Sequence, residues 1–138
     1  MALRRDAKTK AIAKVPLFAR CSKRELALVA GIADELDLPA GKVLTREGAV
    51  GREFFVLLEG SAEVRTGDRK RAVLGPGEFL GEIALVSSRP RTATVTAATP
   101  VYVLVIRDKE FRALLQRVPS IQVKVLEALA DRLAADAL

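Results

Sequence analysis

The chain has 138 residues, half of them apolar and 29% charged. That composition excludes a disordered tract and a membrane-spanning bundle, and the length suits one domain with a core of its own. There is no histidine and only one cysteine, Cys21. This removes Ser-His-Asp and Cys-His catalysis, the common zinc sites and any intrachain disulfide.

No secretory-type apolar segment opens the chain, and no run approaches ~20 apolar residues. The expectation is a soluble cytoplasmic protein without a membrane span. The net charge of +6 is uneven. Residues 1–24 hold eight bases (Arg4, Arg5, Lys8, Lys10, Lys14, Arg20, Lys23, Arg24) and one acid, Asp6, a balance of +7. The other 114 residues balance at −1. A basic arm can steer toward nucleic acid, but no aromatic residues are interleaved for stacking, so a solvated helix face is the better reading.

Residues 6–15 read as a short helix, interrupted by Val15-Pro16 because proline disfavours helix in the residue before it. Ser22 with Glu25 three residues later forms a capping-box pattern, and a second helix runs through Leu26, Leu28, Val29 and Ile32. From Asp34 strand-like runs alternate with glycine turns: Glu35–Leu38, Val43–Arg46, Glu53–Leu58, Ala62–Thr66, Arg71–Leu74, Thr92–Ala97 and Val101–Ile106. Such spacing predicts a sandwich or jelly roll of about eight strands. Phe54–Leu58 is apolar throughout, as in a central strand. Thr92, Thr94 and Thr96 alternate with Ala93, Val95 and Ala97, giving one polar and one small apolar face.

Beyond Arg107, Asp108 is placed to cap a helix through Phe111, Leu114, Leu115 and Val118. Pro119 suits the first turn of the next, whose apolar positions are Ile121, Val125, Leu126, Leu129 and Leu133. These leucines read as core first. The order of elements is α+β: helices over 1–33, an antiparallel β-roll over 34–107, and two C-terminal helices over 108–137. A single domain is expected.

One stretch, Gly75–Thr94, breaks the β pattern. Within it Ile83–Val86, which follows Gly81-Glu82, is too short for a core helix and too apolar for a simple loop, and a single helical turn from Glu82 fits it. The opening amides of such a turn suit an anion. Gly81 lets a ligand approach the backbone, and Arg91 offers a planar fork of donors matched to phosphate. A carboxylate at Glu82 beside an anion makes sense if the ligand also presents hydroxyl donors, as a ribose does. The plainer alternative, a surface ion pair between Glu82 and Arg91, leaves the spacing of glycine, turn and proline unexplained. Cys21 reads as a small buried hydrophobe.

The stretch Gly81-Glu82-Ile83-Ala84-Leu85, five residues, then Pro90-Arg91-Thr92-Ala93-Thr94 resembles the phosphate-binding cassette of cyclic nucleotide-binding domains. These occur in catabolite-activator-type regulators, cyclic-nucleotide-dependent kinases and cyclic-nucleotide-gated channels. The upstream stretch Glu47–Gly60 matches the same family in its spaced glycines and apolar strand, and the resemblance spans residues 15–135, with a cassette over 79–94. It implies that Glu82 accepts from a ribose 2′-hydroxyl and that backbone amides near Ile83 and Ala84 hold the cyclic phosphate. Arg91 would pair with the phosphate charge, and Thr92 would add a hydroxyl to phosphate or purine. Val64 and Leu74 would wall the base, and Leu80 is a further ligand-binding position. The final helix, at Leu126, Leu129, Arg132 and Leu133, would form a lid. For Arg91 and Thr92 to reach one ligand, the strand must begin irregularly, which Pro90 allows.

The expected function is a non-enzymatic sensor, with cAMP placed ahead of cGMP and no cofactor or metal. The ligand would shift the C-terminal helices toward an unidentified protein effector. The alternatives are a cGMP-preferring sensor and a ligand-free, degenerate interaction domain of the same fold. A metal-dependent barrel enzyme is disfavoured by the absence of histidine. No DNA-reading helix-turn-helix fits after residue 136, so the chain is either a stand-alone sensor or a fragment of a longer one. It would be a monomer or a weak homodimer through Val125, Leu129 and Leu133 of the last helix.

Overall fold

A computed structural model describes residues 5–136, with the side chains of Arg5, Arg132 and Asp136 outside the description. The backbone divides into two compact units, Asp34–Asp108 and the helices on either side of it in sequence.

The central unit is built by alternation. Its strands are β1 (Asp34–Leu38), β2 (Val43–Thr45), β3 (Glu53–Glu59), β4 (Ala62–Thr66), β5 (Arg69–Leu74), β6 (Phe79–Leu80), β7 (Thr94–Ala97) and β8 (Val101–Arg107). They form two antiparallel sheets of four strands, in the orders β1-β8-β3-β6 and β2-β7-β4-β5. The inward positions of both sheets meet in one core that includes Leu44, Phe55, Leu57, Val95, Val103 and Val105. β3 sits inside its sheet between β8 and β6, and Phe54 through Leu57 are buried on both faces. That accounts for its unbroken apolar run. The fold is α+β and jelly-roll-like, as the sequence predicts.

Several strand limits shift by one or two residues from expectation, and two departures bear on the site. β7 begins at Thr94 rather than Thr92, and within it the threonines are partly buried while Val95 and Ala97 are buried. Phe79–Leu80, inside the segment that breaks the pattern, is a strand of two residues paired to Phe55 and Val56. So short a strand leaves no periodic signal, and its register comes wholly from the partner. Phe79 also meets Phe54 edge-on, with ring centroids 6.0 Å apart.

The helical unit comprises α1 (Arg5–Ala13), a 3-10 turn at Pro16–Phe18, α2 (Lys23–Gly31), α3 (Asp108–Arg117) and α4 (Pro119–Asp136). The capping box is present: the Ser22 hydroxyl accepts from the Glu25 amide at 3.2 Å, and the Glu25 carboxylate accepts from the Ser22 amide at 2.8 Å. Glu25 is itself buried and also accepts from Lys124 and from the Ser120 hydroxyl, each at 2.6 Å. These donors hold its carboxyl at about 2, with Lys124 the largest cause. A pairing within the helix cap thus doubles as a tie to α4. Phe18 and Phe111 pack edge-on at 5.8 Å.

Asp108 opens α3 as its first residue and is buried. In α4 the apolar positions divide differently from the expected stripe. Ile121, Val125 and Ala128 are buried, whereas Leu126 is 59% and Leu133 73% exposed. The core reading of those two leucines is therefore overturned. Val125, at 2% exposure, is withdrawn from any dimer contact. Two stripes one residue apart overlap on a helix, and the spacing alone does not say which one faces inward. Cys21 is partly exposed rather than buried, and desolvation pushes its thiol up. Among the described residues no helix is long and apolar enough to cross a membrane.

Candidate functional site

The site is assembled by two loops of the central unit. Gly81 takes φ +82°, a left-handed conformation that suits glycine, and caps a 3-10 turn over Glu82–Leu85. Ala84 and Leu85 are buried and anchor the turn, leaving Ile83 exposed. The Ala84 amide donates to the Gly81 carbonyl at 3.0 Å, and the Val86 and Ser87 amides both donate to the Ile83 carbonyl. The chain then returns through Pro90, which bridges to Val50.

Arg91 is fixed at both its ends. Its backbone amide donates to the Ala49 carbonyl at 2.7 Å and its carbonyl accepts from the Gly48 amide at 2.9 Å. Its guanidinium Nη2 donates to the Glu53 carbonyl at 2.5 Å. Burial pulls the guanidinium down from its usual range, opposed by the Glu53 carboxylate. It keeps its charge, because an arginine does not deprotonate in a protein.

Among the described residues, three cavities share this side chain: a small one of about 200 Å³ beside Gly51 and Glu53, and two larger ones. The first of the larger two, about 580 Å³, is lined by Gly81, Glu82, Ile83, Ala84, Ser87, Arg89, Pro90, Arg91 and Thr92. The second, about 350 Å³, is lined mainly by apolar groups, among them Val64, Ala72, Leu74, Phe79, Leu80 and Val95. Gly81, Arg91 and Thr92 line both. Each volume lies in the range of small-molecule sites. Because residues 91–93 precede β7, Arg91 and Thr92 are freed from strand alternation and can serve one cavity together.

The expected cassette residues Gly81, Glu82, Ile83, Ala84, Arg91 and Thr92 thus stand around the first cavity, and Val64, Leu74 and Leu80 around the second. The expected lid residues are not part of the central unit. Leu126, Leu129 and Leu133 lie on α4, and the Arg132 side chain is outside the described residues. Sequence reasoning missed Ser87 and Arg89 in the first cavity and Thr45, Ala72 and Phe79 in the second. It also missed the role of Glu53, since a backbone carbonyl carries no signature of residue type. Among the described residues no three His, Cys, Asp or Glu side chains group as a metal site requires.

Two four-stranded sheets closed into a roll, with helices before and after, define a jelly-roll-like α+β domain. A family model described as the cyclic nucleotide-binding domain matches residues 35–118. The chain belongs to this family. It is 36% identical over 121 residues to a cyclic nucleotide-gated potassium channel of Rhizobium etli, covering 88% of this chain and 34% of the channel. It is 37% identical over 99 residues to a cAMP-dependent protein kinase regulatory subunit of Mycosarcoma maydis, covering 69% of this chain and 19% of the subunit. The crystal structure of the N-terminal domain of a transcriptional regulator from Streptomyces coelicolor A3(2) superposes with a TM-score of 0.83 at 32% identity. That match covers 91% of this chain and 94% of the other. The chain spans about a third of the length of the channel and a fifth of the kinase subunit. Domains of this family are regulatory rather than catalytic.

Proposed function

We propose that the chain is a non-catalytic cyclic-nucleotide sensor that takes cAMP in preference to cGMP. The observation that carries this is a cavity bearing the side chains of Glu82, Arg91 and Thr92 that shares Gly81, Arg91 and Thr92 with a second one walled by Val64, Leu74, Phe79 and Leu80. A cyclic nucleotide has the same division, with an anionic ring at one end and a flat base at the other. In this reading Arg91 pairs with the phosphate, and the turn's amides near Ile83 hold its oxygens, the Ala84 amide being already engaged by the Gly81 carbonyl. Glu82 accepts from the ribose 2′-hydroxyl. Val64, Leu74 and Leu80 wall the base, and the Thr92 hydroxyl completes the contact. The preference for cAMP is supported by similarity to a regulatory subunit whose name is cAMP-dependent.

Occupancy of the site would shift the populations of the C-terminal helices by no more than the ligand's differential affinity for the two states. The exposed face of α4 around Leu126 and Leu133 would act as the lid or present itself to a protein effector in the cytoplasm. The decisive experiment is calorimetry with cAMP, cGMP and linear AMP. Binding in the order cAMP, cGMP, AMP supports the proposal. Equal binding of AMP and cAMP refutes tuning to the ring, and no binding of any at millimolar concentration favours a ligand-free interaction domain.

A further inference from the structure

The first cavity is lined by the cassette, yet one of its side chains, Arg91, is also held from outside the cassette. Gly51 is buried, and its φ lies outside the left-handed range. A left-handed backbone is therefore not what requires glycine there. Space is what excludes a side chain: a Cβ on Gly51 would overlap Nε and Cζ of Arg91 and lie 2.8 Å from its Cδ. Gly81 stands against the same guanidinium at Nη1, and the Glu53 carbonyl accepts from Nη2. Two glycines and one carbonyl oxygen thus form a socket that holds the fork before any ligand arrives.

We infer that Gly51 is a positioning residue: its missing side chain sets the place of the Arg91 guanidinium and so the affinity for an anionic ligand. The inference rests on the cyclic-nucleotide reading for its ligand but not for its geometry. Gly51 is the clean probe of the socket. Gly81 has φ +82°, and a Cβ on it would also come within 2.9 Å of the Glu53 carbonyl, so its replacement strains the backbone as well. At Gly51 the atoms in the way belong to the outer part of a flexible side chain. An alanine there is accommodated by swinging Arg91 off the Glu53 carbonyl, which spares the fold and misplaces the donor. Preorganised donors lose binding when they must be reordered.

The test compares wild type, Gly51→Ala, Arg91→Ala and the double variant, each full-length, by cAMP calorimetry, thermal melting and the Arg91 Nε–H resonance. Gly51→Ala should weaken cAMP by roughly 10- to 100-fold. Added to Arg91→Ala it should weaken binding no further, because the side chain it displaces is gone. Affinity within twofold of wild type, or losses that simply add in the double variant, overturns the inference. If Gly51→Ala fails to fold, Arg91→Ala must restore the melt, and failure to do so overturns it too. If wild type binds no cAMP, the functional reading fails separately, and the socket is then judged by the resonance. A shifted Arg91 Nε–H in Gly51→Ala supports it, and an unchanged one refutes it.

Discussion

Replacing Arg91 by alanine is the sharpest perturbation of the proposed site. The guanidinium is partly buried, donates to the Glu53 carbonyl at 2.5 Å and lines both larger cavities. Truncating one member of a desolvated charge pair costs ~2–5 kcal/mol of binding. Partial exposure places this case in the lower half of that range, about 2–3.5 kcal/mol. At ~1.4 kcal/mol per decade this is a loss of roughly 30- to 300-fold in affinity for cAMP. The fold loses less. One carbonyl loses a charge-assisted donor but gains access to water, a cost of about 1 kcal/mol, which lowers Tm by about 3 °C. Arg91→Lys should fall between wild type and alanine, because an ammonium keeps the charge without the planar fork. Calorimetry and thermal melting of the three proteins measure both quantities. An unchanged affinity in Arg91→Ala refutes the reasoning, as does a loss fully explained by unfolding.

If Glu82 reads the ribose, 2′-deoxy-cAMP should bind wild type about tenfold more weakly than cAMP, a loss of ~1.4 kcal/mol. The two ligands should bind Glu82→Ala alike, and a retained tenfold difference removes Glu82 from that role. Thr92→Ala should change the ratio of cAMP to cGMP affinity by about three- to tenfold, the scale of one neutral hydrogen bond. A constant ratio means that the hydroxyl does not read the base. Glu25→Gln should destabilise the protein by about 2 kcal/mol, because the Lys124 charge loses its partner and the helix cap is weakened. The folded Glu25 carboxyl lies at about 2, below its ordinary 4.5. Its contribution is therefore present in full above pH 4.5 and lost as pH falls toward 2. Denaturant melts across that window should show a steeper acid loss in wild type than in Glu25→Gln, and parallel profiles contradict the assignment.

Local chemistry was legible in the sequence wherever it was self-contained. Ser22 and Glu25 form their capping box within four residues, and Phe54–Leu58 declares an interior strand by its composition. The α+β order followed from periodicity, and the cassette from a long spaced pattern. What stayed hidden depended on partners distant in sequence. Phe79–Leu80 became a strand only through Phe55 and Val56. The inward stripe of α4 was misassigned at Leu126 and Leu133 because helical spacing fits more than one face. The hold on Arg91 comes from a backbone oxygen at Glu53 and from the empty space at Gly51, neither of which has a residue signature.

The central claim is that a cyclic nucleotide sits with its phosphate at Arg91 and its base toward Val64 and Leu74. An amide-resolved titration with cAMP tests it most directly. The account predicts saturable shifts concentrated at Gly81–Ala84, Ser87, Arg91 and Thr92, with a second group at Val64, Leu74 and Leu80. Shifts confined to other surfaces, or none at millimolar cAMP, would contradict it.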